Sequence, residues 1–285
     1  MTDSSRLIAE QASFRAFMNC YLREVDPGVE CRHAFRTRLG KSASTDCVEF
    51  SLLSVRAKLR VGVDYFSLTG CHRFNRCWVR QLHETTWQEK EPFAVLLMLV
   101  QEIYRSYCEG PTELLRTREL ELLYRLTDSY KLMADYLRVR KDESSDGHRF
   151  IDGEQACLFG HWLHPTPKSR QGMAEWQQAS YAPELAGTFQ LHYFSANHEI
   201  VCQNASRTHV GEIISSLLGN SSESVVTEHS TLIPMHPLQA QALMLDPVIS
   251  DLIDQGKLTY LARWAESLPR HLLSGRYTTR NVRGW

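Results

Sequence analysis

No stretch of this chain approaches the ~18 consecutive apolar residues that a membrane-spanning helix requires. An excess of one charge is also missing: 32 Lys and Arg stand against 33 Asp and Glu, a formal net charge of −1. That balance supplies no broad basic field, so neither nucleic acid nor an anionic membrane is an expected partner. The first residues do not read as a secretory signal, because Ile8 and Ala9 run straight into Glu10 and Gln11. Eight cysteines occur, yet none forms a CxxC pair. Their long spacings suit free thiols in a reducing compartment, and a cytoplasmic location is expected. Walker-type phosphate loops are absent, no GxGxxG precedes a helix, and there is no internal repeat or low-complexity tract. What is present is ordinary for a globular protein: 43 % hydrophobic and 23 % charged residues over 285 positions. That length suits two domains or one large one.

Periodicity predicts an amphipathic helix over 5–24, with Leu7, Phe14, Phe17, Met18 and Leu22 near one stripe. Val48, Phe50, Leu52 and Val55, then Leu59, Val61, Val63 and Phe66, predict strands paired as a hairpin over 47–67. A further strand is expected over 77–82. Two helices follow: 92–108, with Pro92 in its first turn, and 111–138, rich in Leu, Glu and Arg. The polar run at 141–149 marks the best internal boundary and divides 1–145 from 146–261. Beyond it, strands at 187–194 and 230–234 are expected among helices at 209–218, 237–245 and 247–255. The fold class is α+β, helix-rich with short antiparallel strands.

One segment concentrates chemistry. Between Gly160 and Gly172 lie His161, His164, Pro165, Pro167, Lys168 and Arg170, and no acid occurs between Glu154 and Glu175. Two prolines stiffen the turn. Lysine offers a point charge, and arginine a planar fork for two phosphate oxygens. Histidine can donate to a phosphate or orient a neighbour. A polyphosphate suits such a loop. The competing readings are a solvated surface loop and a zinc pair at His161 and His164. The zinc reading lacks nearby Cys or carboxylate ligands to complete four. A second element reads Ile233-Pro-Met-His-Pro-Leu-Gln-Ala-Gln241. A strand ending at Pro234, followed by Pro237 at a helix start, aims His236 and Gln239 beyond the strand end. The alternative is a histidine that simply caps the helix.

Together these elements resemble the signature of the NRPS-independent siderophore synthetases, the IucA/IucC family. The first element reads Gly160-His161-x-x-His164-Pro165-x-x-Lys168-x-Arg170-x-Gly172. Trp162 stands where family members usually carry a proline. The downstream His236-Pro237-x-Gln239 resembles the family's His-Pro-Trp-Gln, with Leu238 in place of Trp. The resemblance implies an ATP-dependent ligase with ATP and Mg²⁺ as cofactors. Such an enzyme adenylates a carboxylate, typically citrate, and condenses it with an amine or hydroxylamine, on the way to an iron chelator.

By the same resemblance, His161, His164, Lys168 and Arg170 bind the ATP phosphates, while Gly160, Pro165 and Gly172 shape the loop. His236 and Gln239 line the wall of the nucleotide site, and no metal-ligating residue is assigned. The implied fold is a cupped hand of thumb, fingers and palm. The thumb would lie within 1–145 and part of the fingers within 146–261, the whole forming an amino-terminal portion of a longer synthetase, for which the resemblance leaves a homodimer open.

Residues 262–285 are expected to be foreign to that fold. They hold five arginines, no lysine and one acid. Codons allowed for 268–276, read so that the third base of each joins the first two of the next, can spell Ala-Pro-Thr-Ser-Ser-Val-Arg-Thr. This is similar to a family segment whose Ser and Arg contact ATP. The expectation is a poorly packed, out-of-frame tail after a one-nucleotide loss or two-nucleotide gain near codon 262, and a ligase impaired or inactive in this form. The rival reading of the whole chain is a non-enzymatic scaffold or partner-binding protein.

Overall fold

The computed structural model describes residues 4–37, 39–139, 150–202, 204 and 229–261. The expected 209–218 helix and the 262–285 tail lie outside the described residues. The chain divides into two compact units. One is Met1–Asp146 with Ala156–Met173; the other is Gly147–Gln155 with Ala174–Trp285. The loop segment therefore returns to the first unit, whereas the sequence reading grouped it with the residues that follow.

The first unit begins with α1 (Ser4–Glu24). Five strands then form one antiparallel sheet in sequential order: β1 (Val29–Arg36), β2 (Ser42–Leu52), β3 (Ala57–Tyr65), β4 (Arg73–Gln81) and β5 (Gln88–Lys90). Successive strand side chains face opposite ways. Val48, Phe50 and Leu52 of β2 share a buried face with Leu59, Val61 and Val63 of β3. Against that face pack Phe14, Phe17, Met18 and Tyr21 of α1. Val95, Leu96, Leu99 and Val100 of α2 (Pro92–Glu102) complete the layer. Fully burying one such side chain contributes about 1.5–3 kcal/mol. The long α3 (Thr112–Val139) meets α1 along a second seam, where Ala9 sits against Met133 and Ala134.

The expected helix over 92–108 is α-helical only to Glu102 and continues as a π-helical turn, Ile103–Tyr107. The widened turn starts just after Glu102, whose buried carboxylate serves the β2–β3 turn. It accepts from Leu53 N–H (3.0 Å), Ser54 N–H (2.8 Å) and the Ser54 hydroxyl (2.5 Å). Burial acts to raise its pKa, but the Ser54, Ser106 and Leu53 hydrogen bonds outweigh burial and hold the carboxyl below its ordinary value.

The second unit is built on a three-stranded antiparallel sheet. Its central strand is β6 (His192–Asn197), flanked by β7 (Ser230–Met235) and β8 (Leu258–Tyr260). Among the described residues its helices are α4 (Phe150–Gln155), α5 (Glu175–Tyr181), α6 (Pro237–Leu243) and α7 (Pro247–Asp254). Phe194, Ala196, Ala240 and Leu258 form the core, with Ile249, Leu252 and Ile253 of α7 packed on it. The strand expected at 187–194 begins only at His192, where pairing with Met235 starts.

No described helix is long and apolar enough to cross a membrane.

Candidate phosphate-binding loop and its support

Gly160 opens the loop at φ +70°, a left-handed conformation that favours glycine. Space demands glycine as well: a Cβ there would lie 2.9 Å from Pro167 Cβ and 3.4 Å from Lys168 Cε. Gly172 closes the loop at φ +84° with open space around it, so only its backbone needs glycine. Between them the chain makes successive tight turns. His164 N–H donates to the His161 carbonyl (3.2 Å), Ser169 N–H to Thr166 (3.3 Å), and Met173 N–H to Arg170 (3.4 Å). Pro165 fixes φ just after His164.

Side chains of α3 hold this backbone in place. Ser129 Oγ accepts from Lys168 N–H at 3.0 Å in a buried contact. One carboxylate oxygen of Asp128, Oδ2, accepts twice: from the Ser169 hydroxyl at 2.9 Å and from Arg170 N–H at 2.8 Å. The Arg170 guanidinium carbon stands 5.8 Å from the Tyr136 ring centroid, within cation–π reach. Lys168 is only 7 % exposed. Arg170 is half-buried, whereas His161 and His164 are exposed. The two cations are thus rooted in the first unit, and the two histidines stand at its surface.

Both histidines use the same local device. His161 Nδ1 accepts from Leu163 N–H at 3.2 Å, and His164 Nδ1 accepts from Thr166 N–H at 3.1 Å. With Nδ1 accepting, the neutral ring carries its proton on Nε2 and presents a donor.

His236 repeats the device in the second unit. It is the N-cap of α6, and its Nδ1 accepts from Leu238 N–H at 3.1 Å. Tyr181 and Phe189 stand edge-on to its ring at 4.6 and 4.5 Å between centroids. Burial, then the neighbouring His192, holds its pKa below the ordinary value and favours the neutral ring. The capping role weighed from the sequence is therefore present, and it leaves Nε2–H as a donor. Gln239 is exposed on α6. Among the described residues no group of three or more His, Cys, Asp or Glu side chains is gathered as a metal ion would require.

Asp128, Ser129 and Tyr136 were not among the residues singled out from the sequence. A signal for one of them exists. On α3 the buried positions Leu126, Ser129, Met133 and Tyr136 recur at helical spacing, and Ser129 is the polar member of that stripe. A small hydroxyl on a core-facing stripe needs a partner, and the loop backbone supplies one. Asp128 sits one residue off the stripe in a helix full of charges, and nothing local marks it.

Residues 149–271 match the model of the IucA/IucC family. That span takes in the loop, His236 and Gln239. The spermidine–citrate ligase of Bacillus anthracis is 32 % identical over 277 residues, covering 90 % of this chain and 45 % of the relative. The family-model match places residues 149–271 in the IucA/IucC family. The L-2,3-diaminopropanoate–citrate ligase of Staphylococcus aureus is 30 % identical over 122 residues, 42 % of this chain and 21 % of the relative. In fold, the chain is similar to the ATP-bound aerobactin synthetase IucA of Klebsiella pneumoniae: TM-score 0.65 at 18 % identity, over 88 % of this chain and 43 % of that one. The IucA/IucC fold expected from the two motifs is thus the fold observed. The chain spans less than half the length of the curated relatives it matches.

Proposed function

We propose that this chain forms part of an ATP-dependent acid–amine ligase of siderophore biosynthesis, and that the 160–172 loop binds the ATP phosphates. One observation carries the reading. The loop brings Lys168 and Arg170 into a turn whose backbone is held by Ser129 and Asp128, so the cations are ordered before any ligand arrives. Preorganised donors stabilise developing charge without reorganising during the reaction. Citrate is the proposed acid, because two relatives are named citrate ligases. An amine or hydroxylamine is the second substrate. A citrate carboxylate oxygen attacks the α-phosphorus of ATP, the bond to the β-phosphate oxygen breaks, and pyrophosphate leaves. The amine nitrogen then attacks the acyl carbon, AMP departs, and the amine proton passes to solvent or a nearby base.

In this scheme Lys168 and Arg170 neutralise the phosphate charge, and His161 and His164 donate from Nε2. His236 and Gln239 are proposed as further nucleotide-contacting residues on the family motif alone. Mg²⁺ finds no carboxylate cluster among the described residues. When bound it would be held by phosphate oxygens and water, in keeping with how this ion binds nucleotides, and would help neutralise the phosphate charge. The eight free thiols fit a cytoplasmic enzyme.

The test is Mg-ATP binding by calorimetry on the wild-type chain and on Lys168→Ala. A charged contact is worth about 1.5–3 kcal/mol, so affinity should fall at least about tenfold. Thermal unfolding of both proteins separates a lost contact from a lost fold, because Lys168 is buried. Equal ATP affinity in the two folded proteins, or no binding by wild type, would remove the loop from the site.

A further inference from the structure

We propose that Cys31 and Cys47 are an oxidation site that closes a reversible cross-strand disulfide between β1 and β2. The two residues are direct Cα partners in the antiparallel ladder. That ladder opens with Thr37 N–H donating to the Lys41 carbonyl at 2.8 Å. It then runs without a register shift from Arg36 opposite Ser42 to Val29 opposite Glu49. Counting by twos from Thr37 places Cys31 at a hydrogen-bonded position, where opposed Cα atoms lie about 5.5 Å apart. Disulfides span about 4.4–6.8 Å between Cα atoms.

The side chains also agree. Strand alternation puts Cys31 and Cys47 together on the sheet face opposite Val48 and Phe50, which fill the main core. The Cys47 thiol donates to the Thr45 carbonyl at 3.5 Å, and the backbone of His33 on β1 acts to lower its pKa. Cys31 is partly exposed and Cys47 fully buried, so an oxidant meets Cys31 first. Cys77 is no rival partner for Cys47. It lies on β4 with β3 between them. Two strand spacings are about 9–10 Å, beyond the about 7 Å limit for bridging without backbone movement.

The chemistry balances with a hydroperoxide as oxidant. The Cys31 thiolate attacks the peroxide O–O bond, giving a sulfenic acid and an alcohol, or water from hydrogen peroxide. The Cys47 sulfur then attacks the Cys31 sulfur, water leaves, and the S–S bond forms. Two electrons have passed from the dithiol to the peroxide. Burial raises the Cys31 thiol above its ordinary pKa. Burial, then Cys31 itself, pushes Cys47 up to about 11. The reaction is therefore slow at neutral pH and quickens as pH rises. The bond would hold an edge strand that is otherwise paired on one side only. That strand carries His33 and Phe35, whose rings lie 4.5 and 5.2 Å from Trp78.

The experiment exposes the chain to hydrogen peroxide at pH 7 and pH 9, blocks residual thiols, and maps linked peptides by mass spectrometry. The expected product is a Cys31–Cys47 linked pair that forms faster at pH 9, reverts with dithiothreitol, and is absent in Cys31→Ser. Amide exchange of Val29–Arg36 should slow on oxidation in wild type and stay unchanged in Cys31→Ser. Overoxidation of Cys31 with no link to Cys47, or Cys31 linking other cysteines as readily, would overturn the assignment.

Discussion

Replacing Asp128 with alanine tests whether α3 orders the phosphate loop. Its Oδ2 accepts from Ser169 Oγ at 2.9 Å and from Arg170 N–H at 2.8 Å. Hydrogen bonds to a charged group contribute about 1.5–3 kcal/mol each. Asp128 is half-buried, and solvent can replace part of that, so the pair contributes about 2–4 kcal/mol. At about 1.4 kcal/mol per tenfold, the ordered form of the Ser169–Arg170 turn should lose at least tenfold in population. The Ser129 contact to Lys168 N–H remains, so the rest of the loop and the core should survive. The assay is amide hydrogen exchange followed by Mg-ATP titration. Arg170 N–H should exchange at least about ten times faster, and ATP binding should weaken in parallel, while the protein stays folded with an unfolding temperature lower by about 4–16 °C. Asp128→Asn keeps an acceptor oxygen without the charge and should fall between wild type and alanine. Unchanged exchange at Ser169 and Arg170 in Asp128→Ala would refute the reasoning.

Two further outcomes follow from the histidines. In His161→Asn, His164→Asn and His236→Asn, the amide oxygen can accept from the N–H two residues on and so keep each turn. All three should stay near wild-type stability, whereas the alanine variants lose the turn. At His236 the alanine variant should cost about 0.5–2 kcal/mol, as for a lost N-cap, and the asparagine proteins should still bind ATP less well if Nε2–H is the ligand donor; equal affinity would make the rings purely structural. Acid should destabilise the fold in a defined window. His33, His72, His192 and His236 all have pKa values lowered chiefly by burial. Their stabilisation is full above the unfolded value of about 6.5 and is lost as pH falls through their folded values. Melting temperature should decline from pH 7 to pH 5, and a flat profile would show that these rings are not held neutral by the fold.

The first unit was largely legible because its signals are local. The α1 stripe and the apolar alternation of β2 and β3 each repeat at the period of their element. β1 and β5 escaped for a common reason. β1 is an edge strand whose residues are mostly exposed, and β5 is three exposed residues long, so neither has an apolar face to announce it. The start of β6 at His192 is set by pairing with β7 some forty residues away, which no window of sequence reports. The loop itself was legible because glycine, proline and cation spacing are local chemistry. Its footing was not: Asp128 lies 42 residues before Arg170. The bond between them exists only once α3 and the loop have packed.

The histidines bring the two scales together. A motif histidine can be read as a ligand donor or as a cap, and these usually compete for one residue. Here the two roles would use different atoms. Nδ1 of His161, His164 and His236 each accepts from a backbone N–H two residues on. That bond fixes the ring against its own turn and leaves the proton on Nε2 in the neutral ring. Aspartate could cap equally well, but it would bring negative charge toward a phosphate and offer no donor. Serine could cap too and keep its O–H as a donor, but its short side chain would hold that donor against the turn. Histidine places an acceptor on the backbone and a donor about one ring-width farther out, with the tautomer set by the fold. The capping seen in the structure is therefore the means by which a phosphate-facing donor would be held, and the two readings of the sequence converge on one side chain.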